Sequence, residues 1–167
     1  MESASGDRRV LVIGYGNTLR GDDGLGPRVA ALLEADKRLL GARIVARHQL
    51  VPELAAEFAE ADLVILVDAS ESVAPGEVAV RRLDEEIGTG ERLGGAAGPA
   101  PSSTWTHHVD AASLLALARE LLSATPEAYV VAIGAESMEL GDGLSAAAER
   151  ALPAAVDAVA AIVVSRG

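Results

Sequence analysis

Three short stretches of this chain carry side chains able to hold a cation or move a proton. The first is "GYGNTLRGDDG", Gly14 to Gly24, with the acidic pair Asp22 and Asp23. The second is "DLVILVDA", in which Asp68 follows an apolar run. The third is "THHVDAA", with His107 and His108. Carboxylate oxygen and neutral imidazole together suit a borderline divalent ion such as Zn²⁺ or Ni²⁺. The chain has no cysteine. Thiolate ligands, thiol nucleophiles and disulfides are therefore excluded. Two carboxylates held close without a metal repel each other, so one pKa must rise. Such a pair is poised to capture a cation.

Other chemistries fit less well. Gly14-Tyr15-Gly16 opens like a dinucleotide fingerprint, but Leu19 stands where a small residue is needed, and there is no P-loop Gly-Lys-Ser/Thr. Asp22 and Asp23 near a helix start would repel the phosphate that the helix dipole attracts. Neither G-x-S-x-G nor H-E-x-x-H occurs, which argues against a self-contained serine hydrolase or zincin.

Each residue also has a purely structural alternative. Asp22 or Asp23 suits a helix N-cap, and one can cap while the other faces a crevice. Asp68 suits a solvated strand end. Adjacent side chains of a regular backbone diverge, so only one of His107 and His108 is expected in a shared site. His48, on the second strand, reads as structural or peripheral.

The elements that must position these residues follow from hydrophobic patterning. Val10–Gly14 and Asp62–Ala69 are short continuous apolar runs, the mark of strands covered on both faces. Leu25, Val29, Leu32 and Leu33 recur at helical spacing within 24–35. Residues 42–50 give another strand, and Pro52 suits the first turn of a helix reaching 61. The link Ser70–Glu77 contains Pro75-Gly76 and is too short for a crossover helix. The strand after it, beginning at Val78, is therefore expected to run antiparallel to its predecessor or to lie at the sheet edge. Further on, 109–122 reads as a helix, 128–136 as a fifth strand, and 144–164 as a last helix broken or kinked near Pro153. The expected fold is α/β: a three-layer sandwich with a twisted, mostly parallel five-stranded sheet, one antiparallel strand, and helices on both faces. A single domain over 1–167 is expected, with 1–7 disordered and 84–106 a mobile loop rich in Gly, Ala, Pro and Ser. In such a sheet the first and third strands flank the point where the connections change direction, and ligands bind at their C-terminal ends. Asp23 and Asp68 would meet there, and the histidine pair would close over them.

Half the residues are apolar but few are aromatic, so the core must be built from Ala, Val, Leu and Ile. The formal net charge is −11, which disfavours nucleic acid and anionic membranes as partners. Arg8-Arg9 precede an apolar run too short for an export signal. They read as a solvated strand start in a soluble, cytoplasmic protein.

The segments "VLVIGYGNTLRGDDGLGPRVA", "ADLVILVDA" and "THHVDAASLLALA", in that order, resemble the hydrogenase maturation endopeptidases. These enzymes trim the C-terminus of the NiFe-hydrogenase large-subunit precursor. The resemblance implies a five-stranded sheet between helices and a metal-contacting triad at Asp23, Asp68 and His107, with His108 as the fallback. It places Gly14, Gly16 and Asn17 in the turn that shapes the site. It further implies that the protein has no metal cofactor of its own: nickel arrives inserted in the precursor, and zinc or cadmium can stand in for it in vitro. Relatives often carry Glu at the position of Asp23, one methylene longer. On this reading the metal either polarises the scissile carbonyl, acidifies a water toward pKa ~7, or is only recognised while a carboxylate acts as general base. The protein would act as a monomer on a precursor bound transiently. Two other readings compete: a self-sufficient zinc metallopeptidase, and a nickel-dependent hydrogenase chaperone that does not cut.

Overall fold

A computed structural model describes residues 8–83, 110–141 and 143–166. The expectations for 1–7 and 84–106 fall outside these residues, as do His107 and His108.

The strands are β1 (Val10–Tyr15), β2 (Arg43–Arg47), β3 (Leu63–Ser70), β4 (Val78–Arg82) and β5 (Glu127–Gly134). The helices are α1 (Leu25–Glu34), α2 (Leu54–Glu60), α3 (Ala111–Leu122) and α4 (Ala146–Arg166). One five-stranded sheet has the order β2-β1-β3-β5-β4. Its pairs are parallel except β4 with β5. β4 therefore runs opposite to β3 and sits at the edge, two places away, because β5 inserts between them.

The alternation of each strand sorts the core into two layers. Val12, Ile65, Val67, Val131 and Ile133 face α1 and α4, where Leu25, Val29, Leu33, Leu152 and Val159 meet them. Leu11, Ile13, Val64, Leu66 and Val130 face α2 and α3, where Phe58, Leu114 and Leu115 close the opposite layer. Phe58 is fully buried, and removing a side chain of that size from water contributes roughly 1.5–3 kcal/mol.

Two glycines let α1 sit tight against the strand ends. A Cβ on Gly26 would lie 2.4 Å from the Tyr15 carbonyl oxygen and 2.5 Å from that of Val67. A Cβ on Gly14 would lie 2.0 Å from the Gly26 carbonyl oxygen. The first turn of α1 is thus pressed against the C-terminal ends of β1 and β3.

α4 continues through Pro153 without a break. Pro153 and Glu149, whose carbonyl loses its usual partner, are both exposed, so the lost bond falls on the solvent-facing side of the helix. The arginines before β1 are paired: Arg8 bonds Glu127 at 2.6 Å and Arg9 bonds Asp62 at 3.1 Å. They pin the start of β1 to β5 and β3. Among the described residues no helix is long and apolar enough to cross a membrane.

Candidate active site

The acidic pair sits on a 3-10 turn, Gly21–Gly24, between β1 and α1. Neither aspartate caps α1, whose N-cap is Gly24 with no side-chain hydrogen bond. Their roles separate instead. Asp22 is completely buried. Its Oδ1 accepts from Ser145 N at 2.7 Å, and its Oδ2 accepts from Ser145 Oγ at 2.7 Å, Glu136 N at 2.8 Å and Ser137 N at 3.3 Å. Burial alone would raise its pKa, but the bonds from Ser145, Glu136 and Ser137 hold it below the usual carboxylate value. With both oxygens engaged, Asp22 is a strut joining the turn to the segment between β5 and α4.

Asp23 turns the other way. Its Oδ2 accepts from Asn17 N at 2.9 Å, and the carboxylate lines a cavity of about 400 Å³ that Asp68 also lines. The turn beneath is closed by Asn17, whose Oδ1 accepts from Leu19 N at 2.9 Å. Gly16 has φ +145°, and a Cβ there would stand 1.9 Å from the Asp23 carbonyl oxygen. Only glycine lets the chain pass so close to Asp23.

Asp68 lies near the end of β3, half-buried. Burial pushes its carboxyl up to about 7, and the neighbouring charge of Asp23 adds to the rise. A hydrogen bond from the Tyr15 hydroxyl, 2.9 Å from Asp68 Oδ2, works in the opposite direction. Tyr15 is in turn held above its ordinary pKa, by burial first and then by the Asp68 charge.

The structure thus brings Asp23 and Asp68 to one cavity above the ends of β1 and β3. Tyr15 and Asp110 also line it, and sequence reasoning gave neither a role. For Tyr15 the signal was available in strand alternation. Tyr15 shares the face of Leu11 and Ile13, and Asp68 shares that of Val64 and Leu66, so the two must point into the same layer. His48 follows β2 rather than lying on it, and it too lines the cavity. Among the described residues no three His, Cys, Asp or Glu side chains form a metal-holding group. A larger cavity, about 520 Å³, opens at the other end of β1. Its Glu57 is already paired with Arg43 at 3.0 Å and Arg47 at 3.4 Å, which leaves Glu60 as its other carboxylate.

No protein-family model matches the sequence, and no curated protein sequence does. Solved structures do match. HybD, a hydrogenase maturating endopeptidase from E. coli, is 26% identical with a TM-score of 0.74, over 95% of this chain and 94% of that one. The hydrogenase 2 maturation peptidase from Thaumarchaeota archaeon SCGC_AB-539-E09 is 28% identical with a TM-score of 0.65, over 93% and 98%. The chain is thus similar over nearly its whole length to structures of hydrogenase maturation endopeptidases. The maturation protease HycI from Thermococcus kodakarensis, 24% identical with a TM-score of 0.67 over 95% and 94%, shares the fold. In this chain the shared α/β frame carries Asp23 on the turn between β1 and α1 and Asp68 near the end of β3.

Proposed function

We propose that this protein is an endopeptidase that removes the C-terminal extension of a NiFe-hydrogenase large-subunit precursor once nickel has been inserted. The observation that supports it most is the meeting of Asp23 and Asp68 in one cavity at the strand switch point, in a chain matching HybD over 95% of its length. A pair of neighbouring carboxylates on a loop-framed rim is a site for a cation brought from outside. On this reading the cation is the precursor's nickel, contacted by Asp23, Asp68 and His107, with His108 as the alternative imidazole. The protein holds no metal of its own and acts as a cytoplasmic monomer.

The chain's own residues divide the work. Asp22 holds the turn, so Asp23 reaches the cavity without losing conformational entropy on binding. Asn17 N bonds one oxygen of Asp23, leaving the other available. Asp68 exchanges its proton for the incoming positive charge, and Tyr15 stays bonded to the carboxylate. Nickel-dependence then acts as a checkpoint, because an unloaded precursor lacks the charge that draws the two carboxylates together.

Mass spectrometry of the precursor, nickel-loaded and unloaded, with and without this protein tests the proposal. Loss of a C-terminal fragment from the loaded form alone is expected. An unchanged mass in the loaded form would contradict it.

A further inference from the structure

We propose that Leu19 and Leu140, on the lip of the Asp23 cavity, form the surface on which the body of the precursor docks. The precursor face that fits is apolar at its centre and basic at its edge. This rests on the function proposed above.

The lip follows from backbone pairing. Arg20 and Gly141 form an isolated parallel bridge. In it, Gly141 N donates to Leu19 O at 3.0 Å, and Gly21 N donates to Gly141 O at 3.1 Å. A leucine precedes each bridge partner, so the pairing sets Leu19 and Leu140 side by side. Both stand in solvent, 62% and 85% exposed. From the same two segments, Arg20 and Met138 line the cavity that Asp23 and Asp68 share. A polypeptide entering the cavity over this lip meets the leucines. Leu40 and Leu121 are also strongly exposed, but they precede β2 and β5 and so lie at the opposite end of the sheet.

The exposed pair is held in place. Asp22 N donates to Ser137 O at 2.9 Å, and the Asp22 carboxylate accepts from the amides of Glu136, Ser137 and Ser145. Arg20 Nε donates to Met138 O at 3.3 Å. The strut that leaves Asp23 free for the cavity therefore also fixes the leucines at its rim. Apolar side chains fixed in water gain by burial against another surface, and a fixed backbone loses little entropy when they do so. The charges around them narrow the partner. Glu136 and Glu139 are exposed on the same segment, in a chain of net charge −11. An apolar centre with an acidic fringe is complementary to an apolar centre with a basic one.

The test uses the full protein and a nickel-loaded precursor. Leu19→Ser and Leu140→Ser are each expected to lower kcat/KM by about tenfold or more, mainly through KM, with Tm unchanged. Leu140→Met keeps an apolar side chain and should keep the wild-type KM. Wild-type KM in both serine variants would overturn the docking surface while leaving the proposed function standing. A lowered kcat with wild-type KM would tie the leucines to the chemical step instead and also overturn it. So would sedimentation showing a dimer that both variants dissociate while KM stays unchanged, which would assign the lip to a second copy of this chain. Failure of the wild-type protein to cut the loaded precursor would remove the proposed function instead. Calorimetric titration of that precursor then reads the lip by itself. A Kd weakened about tenfold in both serine variants would support it, and an unchanged Kd would overturn it.

Discussion

The Tyr15 hydroxyl donates to Asp68 Oδ2 at 2.9 Å, tying the last residue of β1 to a carboxyl near the end of β3. The contact joins the two strands that flank the switch point. It also favours the ionised form of a carboxyl that burial and Asp23 both push toward neutrality. Tyr15→Phe removes that bond and keeps the ring. The pKa of Asp68 should then rise above about 7, and the acid limb of the processing rate should move to higher pH. Carbon-13 titration of the Asp68 carboxyl in both proteins checks this. An unchanged or lower value would show that Tyr15 does not stabilise the charge.

The same carboxyl makes stability depend on pH. Its folded pKa is raised from 3.8 to about 7, so between these values the folded state binds more protons than the unfolded one. Stability should be fully present below about pH 4, fall as pH rises to about 7, and level off above. Asp68→Asn should abolish this slope and stabilise the metal-free protein at pH 8 by on the order of 2–4 kcal/mol. Urea unfolding across that range measures it. An equal slope in the variant would place the titration elsewhere.

Asp22 and Asp23 are neighbours with opposite expected phenotypes. Asp22→Ala strands buried donors on Ser145, Glu136 and Ser137, at a cost on the order of 3 kcal/mol. Asp23→Asn should leave stability within about 0.5 kcal/mol and abolish processing. Denaturation midpoints together with cleavage assays separate the two. Equal destabilisation would collapse the distinction.

Gly26→Ala drives a methyl group into the backbone carbonyls of Tyr15 and Val67. Relief requires α1 to lift from the strand ends, costing about 3 kcal/mol and moving Asp23 away from Asp68. A Tm within error of wild type would show that the helix has slack.

Much of this architecture was legible in the sequence because its strands are buried on both faces. β1, β3 and β5 therefore appear as unbroken apolar runs. The short Ser70–Glu77 link correctly signalled that β4 runs against β3 and lies at the edge. It gave no sign that β5 would insert between them, since a strand's neighbour depends on chain that comes later. Pro153 suggested a break in α4, but its exposed face made the lost hydrogen bond tolerable. The acidic pair stood out by composition. Its division into strut and site did not, because the partners of Asp22 lie more than a hundred residues away in sequence. Tyr15 was legible only through the alternation of β1, whose last residue it is, and His48 lies one residue beyond the end of β2.

The proposed function requires Asp23 and Asp68 to receive the precursor's nickel together. Its most direct test is the C-terminal mass of nickel-loaded precursor incubated with wild type, Asp23→Asn or Asp68→Asn, each variant confirmed folded by circular dichroism. A shortened precursor is expected with wild type and a full-length precursor with either variant. Shortening at the wild-type rate by both variants would contradict it.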